Sequence, residues 1–321
     1  MRAIAGSGPL GVLLAVLLAG WVLLSHPGAP AGPAMAGLLL AGVGAWAAGG
    51  LLARIHPCLP GVGVAVVAGT AMLIGVPDSI SGTPLAAPLG YANANAALLT
   101  AGVAGLLAAA GHTPDGQRRK LVGAAVVLTL LALVTGSRAG AAACVLLLVA
   151  WHLLARGRAV LWQLSAAALI VLAVGATVTL GASQQDRPTA LVDTTVSTAR
   201  TTLWSDAVRL GVDQPVRGVG PGAFEASSPT AQRDPDLNNP HSMPLQVVAE
   251  LGFTGLALLA AVAAWMVGAL GRGAVLMSAM ALQPTVDYVL DFPAVVLASA
   301  LVLGGIAVSG IGKPGLTPPV P

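Results

Sequence analysis

Charge is what this sequence has least of. Only 8% of its 321 residues are Asp, Glu, Lys or Arg, against roughly 25% in soluble domains. So few ionic groups cannot solvate a globular surface of this size, which excludes a soluble protein, and no nucleic-acid partner is expected. Aromatic residues are also scarce, at 3%, so helix contacts must rely on small residues that let backbones close in. Lysine occurs twice, as Lys120 and Lys313, and the other basic residues are Arg. Cysteine occurs twice, as Cys58 and Cys144, in or beside apolar segments. That placement argues against a disulfide, and no cluster has metal-ligand spacing. No metal or other cofactor is expected.

What is abundant is apolar, at 56% of the chain, with 41 Gly. A spanning helix needs about 20 apolar residues. Suitable or nearly suitable segments fall at 8–25, 34–53, 59–76, 91–110, 121–136, 139–155, 159–181, 244–270, 273–291 and 293–311. The expected fold is therefore all-α: a polytopic integral membrane protein of about ten transmembrane helices, forming a single domain over 1–321. The apolar start is read as the first span rather than a signal peptide. The fifth and sixth segments meet at Gly136-Ser137-Arg138 as a tight hairpin, and Pro293 separates the last two.

Lys and Arg in short loops orient such a chain. With the N-terminus inside, the inner connections hold Arg2, Arg54, Arg118, Arg119, Lys120, Arg156, Arg158, Arg272 and Lys313, and the short outer ones hold only Arg138. Both termini are expected in the cytoplasm, with 182–243 as one long extracytoplasmic loop and 312–321 as a disordered tail. Within the loop, 194–211 patterns as an amphipathic helix with Arg200 and Trp204 one turn apart. It is expected to lie on the bilayer with the Trp at headgroup level.

This topology gathers the unusual polar residues at one face. Asn93 and Asn95 follow Tyr91 at the outer end of the fourth span. Arg138 lies on the outer hairpin, His241 opens the eighth span, and Asp287 and Asp291 close the ninth. Gly218, Gly220 and Gly222 surround Pro221 in a turn suited to close backbone approach, after Arg217. Glu250 sits inside an apolar run, where an ionisable group is a functional hypothesis by default. Each residue also has a structural reading: Arg138 snorkelling to the interface, Asn93 and Asn95 capping a helix, and His241 belonging to the helix start Asn239-Pro240-His241-Ser242. Glu250 could pair with Gln246, and the two aspartates with an Arg. Convergence favours function, because structural accidents would scatter over both faces. Arginines at an outer surface suit a diphosphate, and a boundary histidine can accept a proton from an attacking hydroxyl.

The chain resembles the O-antigen ligase and polymerase superfamily of bacterial membrane glycosyltransferases. The resemblance rests on Arg200-x-x-x-Trp204, on Pro215-x-x-Gly218-Val219-Gly220-Pro221-Gly222-x-Phe224, and on His241-Ser242-x-x-Leu245-Gln246-x-x-x-Glu250-x-Gly252-x-x-Gly255. Asn93-x-Asn95, Ser137-Arg138, Asp287 and Pro293 support it. It implies metal-independent transfer of a glycan from an undecaprenyl diphosphate carrier, on the extracytoplasmic face of the plasma (inner) membrane. The acceptor is a glycan, lipid or protein hydroxyl. It further implies that His241, Arg138 and Arg200 are catalytic. Arg217, Gly218, Gly220, Gly222, Asn93, Asn95, Glu250 and Asp287 are candidates for substrate binding. The family usually has more spans, and His-Asn where this chain has His241-Ser242. A repeat-unit polymerase is the alternative within the family. A transporter or flippase is the rival from another class, disfavoured because the sequence shows neither inverted repeats nor broken helices.

Overall fold

The computed structural model describes residues 2–80, 87–155, 198–234 and 237–311. The expected span 159–181, the first part of the long loop and the tail 312–321 lie outside the described residues. Every described residue in regular structure is helical. In order the helices are α1 (Arg2–Ser25), α2 (Gly32–Ile55), α3 (Leu59–Ile80), α4 (Ala92–Ala110), α5 (Asp115–Val134) and α6 (Arg138–Ala155). After the undescribed stretch come α7 (Thr198–Asp213), α8 (Phe224–Ser227), α9 (Met243–Leu270), α10 (Ala274–Thr285) and α11 (Pro293–Ser309). Four stretches are long and apolar enough to cross a membrane: Gly8–Ser25, Gly32–Ile55, Ala92–Ala110 and Met243–Thr285. Leu59–Ile74, Arg138–Leu154 and Pro293–Ser309 are apolar but shorter.

α4 is the central element. Residues 94 to 110 are all buried, under α3, α5, α6 and α11. The outer helices instead leave large apolar side chains bare, including Leu24 at 68%, Leu51 at 60% and Leu73 at 67% exposure. A bundle that buries alanine and exposes leucine is built for a lipid surround, where packing between backbones replaces hydrophobic burial as the cohesive force. The small residues serve that purpose as expected. A Cβ on Gly304 would lie 2.0 Å from Trp46 O, and one on Gly61 would lie 2.1 Å from Gly105 O. Both cysteines are free and buried.

Two expectations about the polar region change. α7 turns its apolar face to protein rather than to lipid. Its apolar face, Leu203, Trp204, Ala207 and Leu210, packs on Leu245 and Ala249 of α9, and Trp204 is only 2% exposed. Gly211 lets the two helices approach, with no room for a Cβ against Val248. The expected span 273–291 is helical only to Thr285. Pro284 lies inside its last turn, and the backbone leaves the helical region at Val286, φ −121° and ψ 9°. A turn at Val289–Asp291 then leads to Pro293 and α11. The residues released from that helix, 286–291, form the centre of the polar cluster.

Candidate functional site

The antiparallel connections place the starts of α4, α6, α9 and α11 and the ends of α1, α5 and α10 at one end of the bundle. Arg54, the Arg118–Lys120 run and Arg272 lie at the other. Asp287, 1% exposed, is the hub of the polar end. Tyr91 Oη–H donates to its Oδ1 at 2.9 Å, the Asn93 amide donates to Oδ2, and the backbone N–H of Tyr288 donates to Oδ1 at 2.8 Å. Arg200 Nη2 lies 3.7 Å from Oδ2, and Arg200 Nη1 donates to Val286 O at 3.4 Å. His241 Nδ1 lies 3.6 Å from Oδ1. Four segments far apart in sequence thus meet on one carboxylate, three of them in side chains singled out from the sequence: Asn93, Arg200 and His241. Burial, and then the charge of Asp287, hold the Tyr91 hydroxyl above its ordinary range, so it stays a donor to the carboxylate.

His241 is held in an unusual conformation. Its φ of 50° is the one positive value at a non-glycine residue among those described, a strain that persists only where surroundings impose it. Its Nδ1 is buried without a hydrogen-bond partner. At 3.6 Å the carboxylate therefore acts on the ring through its charge, short of a formed hydrogen bond. A carboxylate on Nδ1 favours a proton there and leaves Nε2, across the ring, as the basic nitrogen. The imidazole also meets Tyr288 edge-on, with ring centroids 4.9 Å apart.

Capping does not account for the boundary residues. Tyr91, not an Asn, is the N-cap of α4, and neither it nor Ser242 before α9 makes a side-chain cap bond. Asn93 reaches Asp287, while Asn95 is fully buried and donates Nδ2–H to Ala87 O at 2.8 Å, bracing the loop before α4. Arg138 opens α6, which Ser137 caps by accepting from Gly140 N–H at 3.1 Å. Gly140 packs beside Ala96 and Gln283, and Gln283 Nε2 donates to Asn93 O at 2.8 Å. The Arg138 turn therefore adjoins the Asp287 cluster, but its side chain is exposed, with no ion pair among the described residues. Arg217 is likewise exposed.

The glycine turn has a partner that the sequence did not reveal. α9 is broken at Gly252, with φ 69° and ψ −174°, a region open essentially to glycine alone. The break frees backbone groups inside an apolar bundle, where each unpaired one is costly. Four of those beside the break find partners outside the helix. Val219 and Gly220 donate to the carbonyls of Ala249 and Glu250 at 2.8 and 2.9 Å, and Trp21 Nε1 donates to Leu251 O at 3.0 Å. Phe253 N–H returns a bond to Pro215 O at 2.7 Å. Glu250 is 2% exposed and does not serve as packing partner alone, for its Oε2 accepts from Gly222 N–H at 2.9 Å. The turn is thus stitched to α9 by main chain and carboxylate together. At Gly218, φ 66°, a Cβ would sit 2.4 Å from the Glu250 carbonyl carbon. Gly252→Ala is expected to cost about 2–4 kcal/mol in strain and displaced backbone, because its Cβ would lie 2.5 Å from the Val216 carbonyl. Thermal unfolding in detergent, with protease sensitivity at 214–222, measures it; wild-type values for both would mean that the break does not depend on glycine.

Sequence reasoning missed the break and the aromatic residues beside Asp287. Tyr91 and Tyr288 are the only two tyrosines in the chain, so their scarcity was the available signal.

Residues 123–260 match the family model described as O-antigen ligase. That segment contains Arg138, Arg200, Arg217, the glycine turn, His241 and Glu250, whereas Tyr91, Asn93 and Asp287 lie outside it. No curated protein sequence matches the chain.

Proposed function

Residues 123–260 match the O-antigen ligase family model, and from that premise we propose that the chain is a member of that superfamily and that its Asp287-centred site carries a specific reaction. The superfamily comprises membrane ligases and polymerases, so at the coarse level this is an envelope-glycan enzyme embedded in a bacterial membrane. In the proposed reaction a glycan moves from an undecaprenyl diphosphate carrier to an acceptor hydroxyl. The polar end of the bundle faces the extracytoplasmic side, opposite Arg54, Arg118, Arg119, Lys120 and Arg272, as the positive-inside rule requires in a plasma membrane.

The observation that carries this reading is the pairing of His241 Nδ1 and Arg200 with one buried carboxylate. Asp287 orients the imidazole, and Nε2 takes the proton of the acceptor hydroxyl as its oxygen attacks the anomeric carbon of the sugar. The bond from that carbon to the diphosphate oxygen breaks, and undecaprenyl diphosphate leaves with the electron pair. Arg200, which keeps 31% of its side chain exposed beside Asp287, stabilises the charge that develops on the leaving group. Arg138 and Arg217, exposed at the same end, add positive charge for the diphosphate. Glu250 and the glycine turn hold the wall of the site in shape.

The test uses purified protein with an undecaprenyl diphosphate-linked oligosaccharide and candidate acceptors, following glycan mass and carrier release. Arg200→Ala is expected to lower transfer about 10²- to 10³-fold, the scale of losing one charge-stabilising donor. Near-wild-type transfer in that variant would remove Arg200 from the mechanism. A single-step product identifies a ligase, and a ladder of lengthening chains a polymerase. The break at Gly252 gives the transporter reading one supporting feature that the sequence did not show. Four of its freed groups, however, are taken by residues 215–220 and Trp21. Solute movement without any glycan product would establish that rival.

A further inference from the structure

Resting on this transferase reading, we propose that Tyr91, Tyr288 and Phe292 form an aromatic wall for the pyranose ring joined directly to the carrier diphosphate. The chain has 2 Tyr and 3 Phe in all. Both tyrosines and one phenylalanine gather here. Tyr91 and Tyr288 stack at 4.8 Å and 18°, and Tyr91 and Phe292 at 5.6 Å and 11°. Tyr288 and Phe292 are 6.1 Å apart at 29°. All three rings are only partly buried. An interfacial belt would spread such residues around the bundle perimeter, whereas these are clustered on one spot and aligned nearly parallel.

Their position decides what they face. The Tyr91 hydroxyl is pinned to Asp287, and the Tyr288 ring touches the His241 imidazole. Tyr288 directly follows Asp287, whose carboxylate lies 3.7 Å from Arg200. A sugar linked to a diphosphate held by Arg200, with its anomeric carbon within reach of an acceptor activated by His241, has its ring next to these side chains. One face of a pyranose presents axial C–H groups, which carry slight positive charge. The face of an aromatic ring carries the negative part of its quadrupole, so the two surfaces attract as an edge-to-face aromatic pair does. The wall therefore recognises the first sugar of the donor, while the arginines recognise the diphosphate that all such donors share.

Two ligands separate these contributions: undecaprenyl diphosphate bearing the oligosaccharide, and undecaprenyl diphosphate alone. Binding of each is measured to the full-length protein in nanodiscs, for wild type, Tyr288→Ala, Tyr288→Phe and Phe292→Ala. Phe292→Ala is included because Phe292 does not touch His241 among the described contacts. The glycan-bearing carrier is expected to bind more tightly than the bare carrier. Phe292→Ala and Tyr288→Ala should cut that advantage about five- to tenfold, with bare-carrier binding unchanged and Tyr288→Phe close to wild type. In turnover the same loss appears in KM for the donor. Equal weakening for both ligands would make the rings membrane anchors and overturn the proposal. So would wild-type binding that ignores the glycan. Glycan-dependent binding that needs these rings, without any transfer product, would uphold the wall and sink the transferase reading instead.

Discussion

His241→Ala is expected to lower glycan transfer about 10²- to 10⁴-fold, the usual contribution of a positioned general base, without loss of membrane insertion or folding. The imidazole is 15% exposed and makes one ionic contact and one ring contact, so its removal costs packing but breaks no hydrogen bond of Nδ1. The φ of 50° is imposed by the surrounding backbone, and Ala, which also bears a Cβ, carries the same left-handed cost. Stability near wild type together with lost turnover is therefore the predicted signature. Activity within about threefold of wild type would end the assignment of His241 as the base.

The second large effect is expected at Asp287, and there fold and function fail together. Asp287→Ala removes the acceptor for Tyr91, Asn93 and the Tyr288 N–H, and leaves Arg200 without its anion. Each buried donor left unsatisfied costs about 1–3 kcal/mol; two or three of them at the junction of α4, α7, α9 and α10 should lower the unfolding temperature measurably. Asp287→Asn separates the two roles. It keeps an acceptor oxygen for Tyr91 but loses the charge that holds His241 and Arg200. This variant should remain folded and still lose transfer by an amount comparable to His241→Ala. If Asp287 acts through His241, the double variant Asp287→Asn with His241→Ala should be little worse than either alone. Additive losses would mean that the two residues contribute separately.

Much of this site was legible before any coordinates. Asn93, Arg138, Arg200 and His241 stand out because charged and amide side chains are expensive in a chain this apolar, and loop charges were enough to place them at one end. Asp287 was legible as a candidate partner of an Arg, and it pairs with Arg200, but its place as the hub shared with Tyr91, Asn93 and His241 was not. Its position depends on α10 ending at Thr285, and a hydropathy pattern runs on through 285–291 without showing that end. Trp204 misled for a similar reason. An amphipathic face can bury against lipid or against protein, and only the presence of Leu245, Ala249 and a bare Gly211 shows that α9 is the partner.

The sequence by itself determined a membrane-embedded helical bundle held by small residues, with its polar chemistry at one end. Composition and loop charge act through the bilayer, which imposes the same solvation cost wherever a residue falls. Only the tertiary structure decided which of those polar residues share a carboxylate, that α9 breaks at Gly252 to pair with the glycine turn, and that the two tyrosines meet beside His241. Those outcomes depend on distances between segments remote in the chain. Hydrogen bonding and ring contact fall away within a few ångströms, so nothing short of the packed bundle specifies them.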